Sequence, residues 1–118
     1  MAEPRRVLEA GDIVWTDFDA SQGRARKWRR PALVVSPAAF NRASGFAIVC
    51  PIAEGVRHFG SNVALPAGMP VAGEILTAHV RSLDSASGPL RYAGAAVPAA
   101  TLAEVRGKLA VLCGIHEG

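Results

Sequence analysis

The sequence predicts a mainly β fold with a C-terminal helix, either a small, bent antiparallel sheet or an SH3-like barrel. Short apolar segments rich in β-branched residues recur along the first 83 positions, and glycine, proline and serine separate them. An apolar stripe with helical spacing follows near the end of the chain, at Leu102, Val105, Leu109 and Leu112. Since 118 residues can bury one modest core, residues 1–118 are expected to form a single domain with a polar tail at 1–10.

Five strands are predicted from segments rich in Val, Ile and aromatic residues, at 13–18, 31–35, 46–52, 63–65 and 73–83. The second of these is continuously apolar, which is typical of a strand buried on both faces. The first two strands are separated by a long segment without apolar periodicity, and loops of that length are usually functional or disordered.

The last of these segments is predicted to run as one long strand from Gly73 to Leu83, because its residues alternate between two faces. One face would carry Ile75, Thr77, His79 and Arg81. The other face is mostly apolar and is expected to face the core with Leu76, Ala78, Val80 and Ser82.

Two helical segments are predicted. Residues 38–42 are expected to form one helical turn. The C-terminal helix is expected to begin either at a capping box formed by Thr101 and Glu104 or one turn earlier at Pro98. Gly114 is a suitable residue to end it in the left-handed conformation.

Composition excludes several classes of protein. Half of the residues are hydrophobic, so the chain is not intrinsically disordered, yet no apolar run approaches the roughly 18–20 residues that cross a membrane. Residues 1–10 lack the apolar centre of a secretory signal. Cys50 and Cys113 match no zinc or redox spacing, and the three histidines are scattered, so no metal site and no cofactor are expected. These features favour a reduced bacterial cytosol, with Cys50 as a buried apolar residue.

The distribution of charge is more informative than the formal net charge of +3. Five of the 13 basic residues fall within positions 24–30, which contain no acidic residue and include an aromatic side chain, Trp28. Such a run can be an ordinary solvated loop. Its aromatic member and the apolar strand that follows it favour binding to the phosphates and bases of a nucleic acid.

Five motifs in order resemble the MazF/PemK (Kid) toxin family over about 100 residues. They are GDIVWTDFD at 11–19, RRPALVVSP at 29–37, AFNR at 39–42, VCPI at 49–52 and VRSLD at 80–84. Each motif is short, but their order and spacing make the resemblance specific.

The resemblance implies the fold described above and the function of a toxin in a type II toxin–antitoxin system. It implies a metal-independent endoribonuclease that cleaves single-stranded RNA by attack of a 2′-hydroxyl on the adjacent phosphorus. It also implies a cytoplasmic homodimer whose RNA groove lies across or beside the dimer interface. The partner would be a small antitoxin with a flexible, often acidic tail that lies in this groove.

The resemblance places the catalytic arginine at Arg30, directly before Pro31. At two other positions the chain differs from the family's usual pattern. Ala53 replaces the usual Thr or Ser, and Ala78 replaces the usual Asp. Neither methyl group can take part in proton transfer. We therefore expect His79 to carry a proton in the reaction, since histidine suits proton transfer near neutral pH. A hydrogen bond within the sheet is the other interpretation of His79.

Further residues are expected to bind RNA, because they belong to the basic segment, to the polar loop 53–62 or to the VRSLD motif. These are Arg24, Arg26, Lys27, Trp28, Arg29, Glu54, Arg57, His58, Arg81 and Ser82.

Two alternative functions remain open at this point. The chain could be a diverged member that binds RNA or antitoxin without cutting, because Ala53 and Ala78 replace reactive groups. It could also poison a protein target such as gyrase, as the similarly folded CcdB does. The basic segment and the RRPALVVSP motif favour the nuclease.

Overall fold

A computed structural model describes residues 7–16, 30–85 and 90–115. Within these residues it contains seven strands: β1 (Asp12–Thr16), β2 (Arg30–Val34), β3 (Phe46–Ala53), β4 (Asn62–Ala64), β5 (Glu74–Leu76), β6 (Arg81–Asp84) and β7 (Arg91–Ala96). Two α-helices, α1 (Ala38–Ser44) and α2 (Ala99–Leu112), complete these elements, together with a short 3-10 turn at Thr77–His79.

The strands form one open antiparallel sheet in the order β4-β5-β3-β2-β1-β7. Strand β3 is eight residues long and pairs with three other strands. Its first half pairs with β6 and its last two residues pair with β5, while β2 pairs with its middle residues, Val49 to Pro51. The expected fold class, a small antiparallel sheet with a C-terminal helix, is confirmed.

Apolar residues are buried on both faces of the sheet. One face, which α2 covers through Val105, is lined by residues such as Ile13, Leu33 and Cys50. The other face buries a second cluster, Val14, Ala32, Val34, Ala47 and Val49, with Leu8 from the N-terminal segment. Desolvation raises the pKa of the Cys50 thiol to about 12, so this cysteine is an apolar packing residue, as predicted.

Helix α1 is longer than the predicted single turn at 38–42, and it is held by a buried polar pair. The Ser36 hydroxyl donates to the Asn41 side-chain oxygen at 2.5 Å, and Asn41 Nδ2 donates to the carbonyl of Leu8 at 2.8 Å. Ser36 Oγ also accepts from the backbone N–H of Ile48. These two motif residues therefore connect α1, β3 and the N-terminal segment.

The prediction of one long strand over 73–83 is wrong. The Thr77–His79 turn separates β5 from β6, and Val80 donates its backbone N–H to the Thr77 carbonyl within this turn. The Thr77 hydroxyl is buried and donates to the carbonyl of Ser61 at 2.6 Å, which favours a turn over continued strand pairing.

The predicted core-facing and outer faces of residues 73–83 are also wrong. Ile75 and Thr77 are the fully buried residues, so the core lies on the face that was expected to be the outer one. Of the predicted core-facing residues Leu76, Ala78, Val80 and Ser82, the last three are exposed and Leu76 is half-buried.

Strand β7 was not predicted, because alanine and glycine form most of Arg91–Ala96 and both have low strand propensity. It pairs with β1, with a register shift between Asp12 and Val14. The pairing stabilises a segment whose own residues do not favour a strand. The predicted positions 17 and 18 of the first strand lie outside the described residues.

Helix α2 begins directly after Pro98, which confirms the earlier of the two predicted starts, and no side-chain capping bond is present at this end in the described residues. Val105 is fully buried, whereas Leu112 at the end of the predicted stripe is about half exposed. Gly114 adopts a φ of 71°, the expected left-handed ending. Neither helix in the described ranges combines the length and apolar character needed to cross a membrane.

Candidate active site

Arg30 is the first residue of β2 and its side chain is exposed. Its backbone is held in place by Thr16 of β1, which lies opposite in the register and donates its buried hydroxyl to the Arg30 carbonyl at 3.0 Å. Thus the arginine backbone is anchored, while the residue as a whole is exposed. The neighbouring basic residues, Arg24, Arg26, Lys27 and Arg29, and the aromatic Trp28 lie outside the described residues.

Strand alternation places a carboxylate on the same face of the sheet as Arg30. Strands β2 and β3 pair Ala32 with Pro51, and two residues beyond this pair are Arg30 on β2 and Ala53 on β3. Ala53 itself pairs with Glu74 of β5. Because residues two apart on a strand share a face, as do residues opposite each other in a pair, Arg30, Ala53 and Glu74 lie on one face of the sheet.

Glu74 is bonded to one residue of the loop that follows β3 and to the first residue of β4. One carboxylate oxygen, Oε2, lies 2.5 Å from His58 Nδ1, and the other, Oε1, accepts from Asn62 Nδ2 at 2.9 Å. The Glu74 side chain is only 16% exposed, whereas that of His58 is 86% exposed. Glu74 was missed by the sequence interpretation, because nothing in the local pattern indicates that it contacts a histidine 16 positions earlier.

The loop of residues 54–61 is fixed at its C-terminal end by helix α2. Lys108 Nζ donates to the carbonyls of Gly60 and Asn62 at 2.5 and 3.2 Å. Asn62 Nδ2 also donates to the carbonyl of Arg57 at 3.1 Å. These bonds satisfy three carbonyls of the loop and its end, so the position of His58 depends on both the sheet and the helix.

His79 is exposed and is the last residue of the 3-10 turn. It borders a pocket of about 280 Å³ together with Arg57, Phe59, Asn62 and Ala78. The expectation that strand alternation places His79 beside Arg81 therefore fails, although both side chains are exposed. The structure instead brings His79 beside Arg57 and beside Ala78, one of the two positions where the family's usual reactive group is missing.

The remaining predicted residues lie elsewhere around the sheet. Glu54 borders a second pocket, of about 390 Å³, with Trp15 and Pro31. Trp15 is a half-buried aromatic residue beside Arg30 that the sequence interpretation did not select. Arg81 and Ser82 are exposed on β6, where Arg81 pairs with Val49, four residues or about 13 Å along β3 from Ala53.

Comparison with known proteins identifies relatives along most of the chain. Residues 9–113 match the family described as PemK-like, MazF-like toxin of type II toxin–antitoxin system. The endoribonuclease PemK of Escherichia coli is 32% identical over 110 residues, which cover 89% of this chain and 81% of that protein. The endoribonuclease toxin MazF of E. coli K12 is 32% identical over 79 residues, covering 67% of this chain and 70% of MazF.

A solved structure agrees with the fold. A chain in the crystal structure of MazE–MazF from Deinococcus radiodurans superposes with a TM-score of 0.81 and 41% identity, covering 95% of this chain and 100% of that chain. The family match, the two curated relatives and this superposition together show that the chain belongs to the PemK-like, MazF-like toxins of type II toxin–antitoxin systems.

Proposed function

We propose that this toxin is an endoribonuclease that cleaves single-stranded RNA without a metal ion. The observation that carries the proposal is Arg30, an exposed arginine on an anchored backbone at the position of the family's RP motif. Two relatives that are 32% identical are named endoribonucleases, which supports the same class of activity.

The reaction needs three groups. One accepts the proton of the ribose 2′-hydroxyl, one stabilises the added negative charge on phosphorus, and one protonates the 5′-oxygen when its bond to phosphorus breaks. Arg30 serves the second role, because a guanidinium offers a planar fork of donors to phosphate oxygens and stays protonated. The products are a 2′,3′-cyclic phosphate and a 5′-hydroxyl, and DNA is not cut because it lacks the attacking group.

His79 takes part in proton transfer. Ala53 and Ala78 leave no hydroxyl and no carboxylate at the two positions where the family usually has them, whereas His79 is exposed and directly follows Ala78. The pocket that it borders also contains Arg57, which can hold a phosphate beside the imidazole.

RNA binding involves the basic segment and the loop around His58. Arg24, Arg26, Lys27 and Arg29 contact phosphates, and Trp28 provides a face on which a base can stack. Glu54, Arg57, His58, Arg81 and Ser82 extend the contact surface across the sheet.

A cognate antitoxin and a second copy of the chain are the proposed protein partners. The D. radiodurans relative occurs in a structure together with MazE, which supports an antitoxin partner for this toxin. An acidic antitoxin tail would complement the positive charge of residues 24–30.

The test is incubation of the purified toxin with a mixed RNA ladder in EDTA, followed by mass spectrometry of the new ends. Cleavage with cyclic phosphate ends supports the proposal. Full-length RNA that is nevertheless retained by the protein would instead indicate a toxin that acts by binding. Activity that appears only when a divalent metal is added would contradict the metal-independent mechanism.

A further inference from the structure

His58 has no role in the proton transfers of the cleavage reaction as described so far. His58 is 86% exposed and its Nδ1 is bound to the half-buried Glu74 carboxylate. Asn62 orients that carboxylate by donating to its other oxygen. The imidazole therefore has one nitrogen engaged with the protein, while the ring itself faces solvent, where RNA can reach it.

We propose that His58, oriented by Glu74, is the base that accepts the proton of the 2′-hydroxyl. This inference rests on the proposed ribonuclease activity and assigns one of its unfilled roles. Glu74 is the positioning residue and does not contact the RNA.

The chemistry follows from the Nδ1 contact. A carboxylate that accepts a hydrogen bond from Nδ1 keeps the proton on that nitrogen, so Nε2 is the acceptor. As the 2′-hydroxyl proton moves to Nε2, the oxygen electron pair forms the bond to phosphorus. The bond from phosphorus to the 5′-oxygen breaks, and that oxygen takes a proton from His79.

The position of the pair fits this role. Glu74 pairs with Ala53, and strand alternation places Arg30 on the same face of the sheet. Arg30 and the imidazole of His58, which Glu74 holds, can therefore reach one phosphodiester from different sides of Ala53. Ala53 has no polar side-chain group that would compete for this phosphodiester.

The loop around His58 is built to hold this geometry. Lys108 from α2 binds the Gly60 and Asn62 carbonyls, and it also approaches Glu104 at 3.9 Å. Arg57, the residue before His58, has its carbonyl bound by Asn62. Besides His58, the loop's own charged residues are Glu54 and Arg57, and Lys108 is directed at backbone oxygens.

The first experiment measures kcat and KM for cleavage of a short RNA by His58→Gln and Glu74→Gln. Glutamine is close in size to each residue and keeps hydrogen bonding, but it cannot accept the proton or carry the charge. We expect kcat to fall about a hundredfold or more for His58→Gln and at least about tenfold for Glu74→Gln, with KM changed less than about threefold. Glu9→Gln, which replaces an exposed carboxylate ahead of β1, is the matched control and should keep the parent kcat.

A second experiment separates the base from the acid. An RNA with sulfur in place of the scissile 5′-oxygen has a leaving group that needs no protonation, but its 2′-hydroxyl must still lose a proton. On this substrate His79→Gln should recover most of the parent rate, whereas His58→Gln should remain slow. Added imidazole should partly restore His58→Ala, because the site is open to solvent.

Each negative outcome has a distinct meaning. A parent protein that cuts no RNA in EDTA overturns the proposed function and this inference with it. A parent that cuts, together with a His58→Gln variant that keeps the parent kcat, overturns the assignment of His58 alone. Recovery of His58→Gln on the sulfur substrate would make His58 the acid and would also overturn it. Circular dichroism melts of each variant identify any loss that is due to unfolding.

Discussion

Arg30 lies where the basic segment meets the sheet, and its backbone is held by a bond from Thr16. Because that bond is to a carbonyl, Arg30→Ala removes the guanidinium and leaves the anchor in place. We expect cleavage to slow by on the order of a hundred- to a thousandfold, as loss of one charged donor to a transition state costs about 2.7–4 kcal/mol. Single-turnover cleavage and thermal melts measure the two effects separately.

Arg24→Ala and Lys27→Ala are the comparison for Arg30. These substitutions should weaken RNA binding modestly and reduce the dependence of affinity on salt, because each removes a phosphate contact. Equal and small effects from all three substitutions would indicate that Arg30 only binds a phosphate and has no special role in catalysis.

Gln is the family's usual residue at position 79, so His79→Gln restores it and removes the capacity to carry a proton. We expect slower cleavage and a changed dependence of the rate on pH, because glutamine cannot transfer a proton. The rate measured between pH 5 and 8 tests this. A variant with the parent rate and profile would make His79 a residue that contacts a base or the sheet.

Gly73, directly before β5, allows this strand to lie close to the end of β3 because it has no side chain. Its φ is 129°, and a Cβ added there would lie 2.5 Å from the Ala53 carbonyl oxygen, which is backbone and cannot rotate away. Gly73→Ala should therefore destabilise the fold by about 1–3 kcal/mol and displace Glu74. Urea denaturation measures the change in free energy of unfolding.

Gly60→Ala is the matched control for Gly73. Gly60 lies in the loop that contains His58, but nothing is within 4 Å of an added Cβ there. A loss of stability equal to that of Gly73→Ala would contradict the steric explanation.

Strands could be predicted from the sequence where their own residues favour a strand. The segments at 31–35 and 46–52 were recognised because their own β-branched residues favour strands and the sheet agrees with them. Strand β7 was missed because its alanines and glycine gain their strand structure only from β1. The 3-10 turn at Thr77–His79 was missed because an alternating pattern does not report the bond from Thr77 to Ser61, 16 positions away.

Some residues of the candidate site could likewise be predicted from the sequence, and others could not. Arg30 and the two alanine replacements could be identified from motifs, since those positions are local in sequence. The pair of His58 and Glu74 could not, because the loop and β5 meet only through the pairing of β5 with β3 and β4. A contact that depends on the register of several strands leaves no periodic pattern in the chain.

For the whole molecule, the end of α2 leaves apolar side chains in solvent. Val111 is 72% exposed and Ile115 is 66% exposed, with Leu112 between them about half exposed. Adjacent exposed apolar residues are typical of a surface that a partner covers. We expect a homodimer at micromolar concentration, and light scattering at the mass of one 12.3 kDa chain would contradict it.

The shared face of Arg30, Ala53 and Glu74 has a consequence for how the chain folds during synthesis. These residues come from strands that are separated in sequence, and β7 and α2 follow all three of them in the chain. Pairings between distant segments form late and slowly during folding. A partly synthesised chain without α2 lacks the Lys108 bonds that hold the loop of residues 54–61, so we expect the proposed cleavage centre to assemble only after α2 has been translated.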